Sequence, residues 1–241
     1  MIEIKDYLSG PWSHLQPRFK HHYDVIKANS PVSYGGLKLY NGKRDYLMQS
    51  PNEFAATIVY LEKYFGDKNV NYLEIGTASN LTNSMIWNNL NISENIILDN
   101  LECPGIAESL ASNLSFKQNS ILIVGDSTDS KIKNKVKNLG YKYNLMLIDG
   151  NHDFEYVTKD FEYYHQFLTE DGLLIFHDIE NNAVPGVKKF VTTNTTLKNN
   201  FTQLANFVDH NNDFKRNTFG SQCGIGIYTR KHQTILKNIF L

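Results

Sequence analysis

Two short apolar segments each end in an aspartate with a histidine close by, and these four side chains are the ones best suited to chemistry. The first segment ends in Asp149 and is followed by His152, whereas the second ends in His177 and Asp178. Two carboxylates held together repel each other unless a cation, a proton or a hydrogen-bond donor lies between them. The pattern therefore indicates a cation site, acid–base chemistry, or both.

The elements that must position these side chains can be read from the same stretch. Residues 145–148 and 173–176 are uniformly apolar, which is typical of strands buried on both faces of a sheet. Between them, apolar residues recur at helical spacing over 154–168. Strand, helix and strand in this order predict a parallel βαβ unit. Its geometry places Asp149 and Asp178 at the carboxyl ends of neighbouring strands, where open α/β sheets bind ligands.

Sequence signals also predict where two helices begin and end. Asp153 can cap the helix that follows it, and residues 169–172 supply a stop and a turn. An earlier helix is predicted to begin at Pro51, with Ser50 as its cap and Glu53 completing a capping box. This earlier helix is expected to pack on the sheet.

Strand and helix patterns alternate from residue 70 onward, as a doubly wound sheet requires. Predicted strands cover residues 70–75, 95–99, 121–124, 144–149, 173–176, 203–208 and 223–229. Predicted helices cover 51–65, 81–90, 106–113, 131–139 and 154–168, and a further helix follows Pro185. The last two strands are joined by a polar loop without a helix, so we expect them to pair antiparallel.

The chain is predicted to form one α/β domain over residues 49–241, preceded by an N-terminal extension over residues 1–48. The extension is the least regular part of the sequence. An aromatic, glycine-containing segment before a domain often closes over a site as a lid. The segment is at least as consistent with a cover for a sheet edge or with a dimer contact, so the sequence leaves open whether the protein forms a homo-oligomer.

Composition excludes several classes of protein. The 241 residues carry 24 Lys and Arg against 25 Asp and Glu, so no bulk charge favours nucleic acid or an anionic membrane. The sequence shows no apolar run of membrane-span length and no signal-peptide pattern. Two cysteines make no disulfide framework. We therefore expect a cytoplasmic protein that acts on a small molecule.

The ends of the first three strands carry residues suited to an adenosine-containing ligand. A turn with the single glycine Gly76 follows the first strand, where backbone N–H groups can reach a ligand. Asp99, at the end of the second strand, can accept hydrogen bonds from ribose hydroxyls. Asp126 and Ser127 follow the third strand, where an adenine edge can be read. Each motif alone is weak, because an aspartate at a strand end is more often a cap or turn residue, so the prediction rests on their combination.

Together these motifs resemble the class I S-adenosylmethionine-dependent methyltransferases. The most similar branch contains small-molecule and sugar O-methyltransferases, grouped with cephalosporin-hydroxylase-like and methyltransferase family 24-like proteins. The likeness covers about residues 33–230 and is most specific from Asp149 to Asp178. It implies a Rossmann-like sheet of seven strands, the last antiparallel, with helices on both faces. By this resemblance the methionine part of S-adenosylmethionine is held by Glu74, Gly76, Thr77, Ser79 and Asn80, the ribose by Asp99, and the adenine by Asp126 and Ser127.

The sequence departs from this family at two places. Similar sequences usually have glycine where this chain has Ala78 and Asn80. Alanine adopts a left-handed backbone only at a cost, so either the loop does not need that conformation at residue 78 or cofactor binding is weakened. Many relatives also carry two adjacent acids after the fifth strand, where this chain has His177 and Asp178.

The resemblance implies methyl transfer to a hydroxyl oxygen, which requires removal of the hydroxyl proton. Asp149 and Asp178 suit a hard cation such as Mg²⁺, and the base is His152, His177 or Asp149 itself. Structural alternatives stand beside these roles. His152 can instead cap the following helix, His177 can be a satisfied buried histidine, and the two carboxylates can bind backbone donors.

Two other functions stay open at this point. A nicotinamide-dependent oxidoreductase would also place an acid at Asp99, although the missing glycine pattern and the expected antiparallel end argue against it. A catalytically inactive methyltransferase-like binding module is the other alternative, because of Ala78 and Asn80.

Overall fold

The computed structural model describes residues 1–39, 46–102, 119–210 and 223–231, together with residues 107 and 109. Its strands are β1 (Val70–Ile75), β2 (Ile92–Asp99), β3 (Ser120–Val124), β4 (Tyr143–Ile148), β5 (Leu168–His177), β6 (Phe201–Phe207) and β7 (Ile225–Arg230). They form one seven-stranded sheet in the order β3-β2-β1-β4-β5-β7-β6. Pairing is parallel from β3 to β5, whereas β7 is antiparallel to both of its neighbours. The predicted doubly wound sheet with an antiparallel last strand is confirmed.

Helices cover both faces of this sheet. They are α1 (Ile4–Leu8), α2 (Gln16–Asn29), α3 (Pro51–Phe65), α4 (Leu81–Asn89), α5 (Ser130–Asn138), α6 (Phe154–Tyr164), α7 (Pro185–Thr193) and α8 (Thr195–Asn200). Helices α1 to α4 contribute to the core on one face, and α5 to α8 contribute to the core on the other. Of the predicted helix over 106–113, the structure describes residues 107 and 109, both of which are helical, and the other positions lie outside the described residues. None of the helices described is long and apolar enough to cross a membrane.

The two cores explain why the stretch of β4 before Asp149, residues 145–148, is uniformly apolar. In β4, Leu145 and Leu147 belong to the core on the α1–α4 face, whereas Met146 and Ile148 belong to the core on the opposite face. Successive side chains of a strand point to opposite faces, so residues 145–148, which are covered on both sides, are all buried in one core or the other. The first polar residue of this segment is therefore displaced beyond the strand end, where Asp149 stands.

The described N-terminal residues pack on α3 and on the β6 edge. The backbone N–H of Ile2 donates to the carbonyl oxygen of Leu204 at 2.8 Å, and the hydroxyl of Tyr7 donates to the carbonyl oxygen of Ala56 at 3.1 Å. The ring of Tyr7 is fully buried and stacks on Phe19. These contacts hold the N-terminal part of α3 in place, next to Met48 and Gln49, which line the site. A lid function for residues 1–48 stays a prediction.

The predicted capping box at the start of α3 is wrong. Ser50 makes no side-chain cap hydrogen bond. Glu53 accepts hydrogen bonds from the backbone N–H groups of Asp209 and Gly224, both at 3.0 Å. The reason is burial: Glu53 is fully buried, and the unpaired donors that reach it come from the β6 and β7 ends of the sheet.

Two further local predictions are wrong. Asp153 directly precedes α6, but its side chain makes no cap hydrogen bond. The predicted turn at 169–172 is part of β5, which begins at Leu168. Tyr143 pairs with Leu168 and Leu145 pairs with Leu173, so the extra residues are absorbed as an irregularity within one strand.

Candidate active site

A cavity of about 460 Å³ lies at the carboxyl ends of the central parallel strands. Most of the predicted site residues line it, namely Gly76, Thr77, Ser79, Asp99, Asp126, Ser127, Asp149, His152, His177 and Asp178. Tyr34, Met48 and Gln49 line it from the N-terminal side. The sheet topology thus brings the predicted cofactor residues and the predicted reacting residues into one space, as the position of the strand ends requires.

At one end of the cavity two carboxylates and two imidazoles form what we term the Asp–His cluster: Asp149, His152, His177 and Asp178. Nδ1 of His177 lies 3.2 Å from Oδ1 of Asp149 and 2.7 Å from Oδ2 of Asp178. Nε2 of His152 lies 2.9 Å from Oδ2 of Asp178 and 3.6 Å from Oδ1 of Asp149. The predicted proximity of the two aspartates is present, and each imidazole faces both of them.

The charges in the Asp–His cluster shift one another's protonation. Burial alone would lower the pKa of His152, but its ion pairs with Asp149 and Asp178 outweigh this effect and raise the pKa to about 10. Burial would also lower the pKa of His177, but the two carboxylates raise it well above its usual value. Burial would raise the pKa of both carboxyl groups, yet the histidines lower it. The cluster thus stabilises imidazolium between carboxylates.

The backbone at Asp178 is strained. Its φ is 61°, in the left-handed region that non-glycine residues seldom adopt. Asn181 donates a side-chain hydrogen bond of 2.6 Å to Oδ1 of Asp178, and Gln49 donates one of 3.4 Å to Oδ2 of Asp149. Sequence reasoning missed the parts played by Asn181 and Gln49, because a lone amide in a turn carries no periodic signal.

Three members of the cluster offer ligand atoms for a metal ion. One ligand atom each from Asp149, His152 and Asp178 lies within 4.8 Å of the others. Carboxylate oxygens suit Mg²⁺, whereas a set that includes an imidazole is equally suited to ions such as Mn²⁺. The side chains present therefore fit a divalent cation, with His152 as a third donor in place of the missing acid.

The turn after β1 has an unusual backbone. Gly76, Ala78 and Asn80 all have positive φ, at 81°, 48° and 63° respectively. The loop does therefore adopt the left-handed conformation at residue 78 that the sequence left undecided. Asn80 is the residue before α4 and is fully buried, so the turn leads directly into that helix. The strain at Ala78 is a cost of about 1 kcal/mol relative to glycine.

Asp99 organises this turn. Its Oδ2 accepts hydrogen bonds from the backbone N–H groups of Thr77 and Ala78 at 2.9 and 3.1 Å, and its Oδ1 accepts one from Leu101 at 2.8 Å. The carboxylate still lines the cavity. Asp99 therefore holds the β1 turn to the end of β2, and its contact with a ribose stays a prediction.

Glu74 and Asn80 are not among the residues that line the cavity, although both were predicted to hold the cofactor. Glu74 is fully buried, and its Oε2 accepts hydrogen bonds from Tyr72 Oη at 2.8 Å and Asn83 Nδ2 at 2.6 Å. Burial raises the pKa of Glu74 to about 8, against the effect of these bonds. Its placement supports α4 beneath the turn.

The predicted adenine end is held by α6. The carbonyl oxygen of Ser127 accepts a hydrogen bond of 2.8 Å from the hydroxyl of Tyr164. Oδ1 of Asp126 accepts bonds from the backbone N–H and the hydroxyl of Thr128. Asp160, at the middle of α6, is also buried and bonded to Ser127, and burial raises its pKa to about 7. Helical spacing alone did not reveal that Asp160 supports this loop.

The fold and the cavity can now be compared with known proteins. Residues 73–179 match the family described as methyltransferase domain. An uncharacterised protein of Acanthamoeba polyphaga mimivirus is 28% identical over 140 residues, which are 54% of this chain and 63% of that protein. The chain thus spans less than two thirds of the length of this curated relative.

Two solved structures share the fold. The N-methyltransferase NodS of Bradyrhizobium japonicum, in complex with S-adenosyl-L-homocysteine, is 11% identical, with a TM-score of 0.54 over 90% of this chain and 100% of that one. The O-methyltransferase TomG of Streptomyces achromogenes, in complex with S-adenosylmethionine, is 15% identical, with a TM-score of 0.53 over 77% and 82%. At these identities the likeness concerns the fold.

The sheet order is that of a Rossmann-like methyltransferase fold, and residues 73–179 of this sheet are similar to the methyltransferase domain family. The matched residues 73–179 contain the β1 turn, Asp99 and the whole Asp–His cluster. A dinucleotide-binding sheet of the usual type continues in parallel from β5. Here the antiparallel β7 lies between β5 and β6, which argues against the nicotinamide alternative.

Proposed function

We propose that this protein is an S-adenosylmethionine-dependent methyltransferase that acts on a hydroxyl oxygen of a small molecule or sugar, with Asp149 and Asp178 as ligands of a divalent cation. The single observation that carries the proposal is the Asp–His cluster, at the carboxyl end of the sheet and in the same cavity as the β1 turn. Hydroxyl groups are weakly acidic, so methyl transfer to oxygen needs a base and charge stabilisation, and the cluster supplies groups for both.

The residues divide the work as follows. The backbone turn at Gly76 and the carboxylate of Asp99 hold the methyl donor at the ends of β1 and β2. His152, which is half-buried at the cavity wall, takes the hydroxyl proton at Nε2 while the acceptor oxygen bonds to the methyl carbon and the carbon–sulfur bond breaks. His177 is buried and faces both carboxylates, so we assign it to holding them.

Asp149 and Asp178 would hold the cation, and His152, although within reach of it, would stay unligated so that its Nε2 can take the proton. The bound cation would lower the pKa of the acceptor hydroxyl. It would also replace the positive charge that the imidazoles provide between the two carboxylates. Replacing the imidazolium charge with the cation would let His152 lose its proton and act as the base. An imidazole whose pKa is raised to about 10 by two carboxylates keeps its proton at neutral pH.

The first experiment tests the donor. Titration calorimetry with S-adenosylhomocysteine and with NAD should show binding of the first only. Binding of NAD without S-adenosylhomocysteine would contradict the methyltransferase mechanism, and binding of neither would favour an inactive module.

The second experiment tests the acceptor class and the cation. Transfer of a labelled methyl group is measured on a panel of sugar, phenolic and catechol hydroxyl compounds with Mg²⁺, Mn²⁺ or excess chelator. We expect cation-stimulated transfer that the His152→Asn variant lowers at least about 100-fold. His14→Asn, at an exposed histidine away from the cavity, is the matched control. Transfer that is unchanged in chelator would remove the cation from the proposal, and with it the reason why His152 would lose its proton at neutral pH.

A further inference from the structure

Glu53 is a fully buried carboxylate that the reaction does not use. Its two oxygens accept hydrogen bonds from the backbone N–H groups of Asp209, which follows β6, and Gly224, which precedes β7. It stands in the first turn of α3, where the helix dipole favours a negative charge. Burial raises the pKa of Glu53 to about 7, and the two backbone donors oppose that shift. The carboxylate is thus matched to two backbone groups from distant parts of the chain.

Gly224 connects Glu53 to the segment after β5. Its carbonyl oxygen accepts a hydrogen bond of 3.2 Å from Ile179, and the carbonyl oxygen of Cys223 accepts one of 2.9 Å from Glu180. Gly224 has a φ of 76°, and a Cβ atom there would lie 2.9 Å from the side chain of Ile179. Residues 179–180 and 223–224 are therefore in close contact, so a shift of one pair moves the other.

Asp178 immediately precedes Ile179 and has the strained φ of 61°. A strained residue keeps its conformation only where the surrounding structure holds it. We propose that Glu53 is a positioning residue for Asp178, which it holds in the Asp–His cluster by anchoring Gly224 and, through it, the backbone of residues 179–180.

The same end of α3 reaches the other carboxylate of the cluster. Gln49, just before the helix, donates its hydrogen bond to Asp149, while Asn52 donates one of 2.6 Å to the carboxylate of Asp209. One short stretch of chain thus contacts the end of β4, the end of β6 and the start of β7. This arrangement explains why the carboxylate of Glu53 is directed away from its own helix.

The test compares Glu53→Gln with Glu62→Gln, a carboxylate on the same helix that pairs with Arg18 and His22 away from the cavity. A glutamine keeps the size of the side chain but directs an NH₂ group at one of the two backbone donors. Hydrogen exchange of peptides that cover residues 178–181 should accelerate about tenfold or more in Glu53→Gln, because a hydrogen bond to a charged acceptor is lost. Glu62→Gln should exchange as the wild type does.

Two affinities complete the test. The affinity for Mn²⁺ should fall about 10–100-fold in Glu53→Gln, as for other residues that orient a metal ligand. The affinity for S-adenosylhomocysteine should stay within about twofold, because Glu53 does not line the cavity and its hydrogen bonds are to Asp209 and Gly224. The Mn²⁺ result rests on the proposed function, whereas the exchange result does not.

Unchanged exchange at 178–181 in a folded Glu53→Gln protein would overturn the positioning role. An equal loss of affinity for S-adenosylhomocysteine would also overturn it, because general loosening would then explain the data. If wild-type protein binds no Mn²⁺, the cation part of the proposed function fails and the exchange comparison still decides the role of Glu53. If Glu53→Gln does not fold, Glu53→Asp, which keeps the charge on a shorter side chain, must show the same accelerated exchange.

Discussion

Gly76 and Asp149 touch backbone to backbone: a Cβ atom at Gly76 would lie 2.3 Å from the carbonyl oxygen of Asp149 and 2.4 Å from Cα of Gly150. Gly76 follows β1 in the turn predicted to hold the methyl donor, and Asp149 follows β4 in the Asp–His cluster. The absence of a side chain at one position therefore sets the spacing between the donor side and the acceptor side of the cavity. In-line methyl transfer depends on that spacing.

Replacement of Gly76 by alanine should damage both stability and cofactor binding. The new Cβ atom meets backbone atoms that cannot move aside cheaply, and φ is 81°. We expect a loss of at least about 3 kcal/mol in the free energy of unfolding by urea, from strain plus overpacking. Gly140→Ala is the matched control, because its φ is 73° and nothing lies within 4 Å of the added atom. It should lose only about 1 kcal/mol. Equal losses in the two variants would contradict the proposed contact.

Ala78→Gly should be neutral or stabilising, in contrast to most alanine-to-glycine changes. The native φ of 48° strains an alanine, and glycine removes that strain at the cost of a more flexible unfolded chain. We expect a change between 0 and about +1 kcal/mol in the free energy of unfolding, with equal or tighter binding of S-adenosylhomocysteine by calorimetry. Ala55→Gly, inside α3, should instead lose about 1 kcal/mol. A loss at residue 78 as large as the loss at residue 55 would mean that Ala78 is not strained.

The sheet and the cluster could be predicted from sequence because both follow from periodicity. Uniformly apolar runs such as 145–148 identify strands covered on both faces, and the first polar residue after such a strand must stand at the ligand edge. The hydrogen-bond partners of single polar side chains could not be predicted in the same way. Glu53 fits a capping box by spacing, yet it bonds to Gly224, which lies 171 residues away. Such long-range pairing depends on packing, which leaves no local pattern.

Asp99→Asn should weaken binding of the methyl donor more than it weakens the fold. One carboxylate oxygen accepts two backbone hydrogen bonds from Thr77 and Ala78, and an asparagine can keep only one acceptor oxygen. We expect about a tenfold to hundredfold loss of affinity for S-adenosylhomocysteine, from the disturbed turn and a weakened ribose contact, and a loss of about 1–2 kcal/mol in the free energy of unfolding. Calorimetry and urea unfolding at the same pH measure the two effects. Unchanged affinity in a folded variant would refute the ribose role.

The pH dependence of stability should report the ion pairs of His152. Burial lowers the pKa of His152 and the two aspartates raise it, with a result of about 10 against 6.5 for a free histidine. Because the folded-state pKa is the higher one, the stabilisation is fully present below about pH 6.5 and is lost as the pH rises toward about 10. The pKa of Asp178 is lowered by the histidines, despite the opposing effect of burial. Its contribution is therefore present above about pH 3.8 and decreases in more acidic solution.

Urea unfolding of chelator-treated protein at pH 6 and at pH 10 should therefore separate the wild type from His152→Asn. We expect the stability difference between the two proteins to shrink by about 1–2 kcal/mol at the higher pH, a value reduced for the partial exposure of the imidazole to solvent. His14→Asn should follow the wild type at both pH values, because His14 is exposed and outside the cluster. A difference between wild type and His152→Asn that stays constant over this range would show that His152 is not held as imidazolium between Asp149 and Asp178.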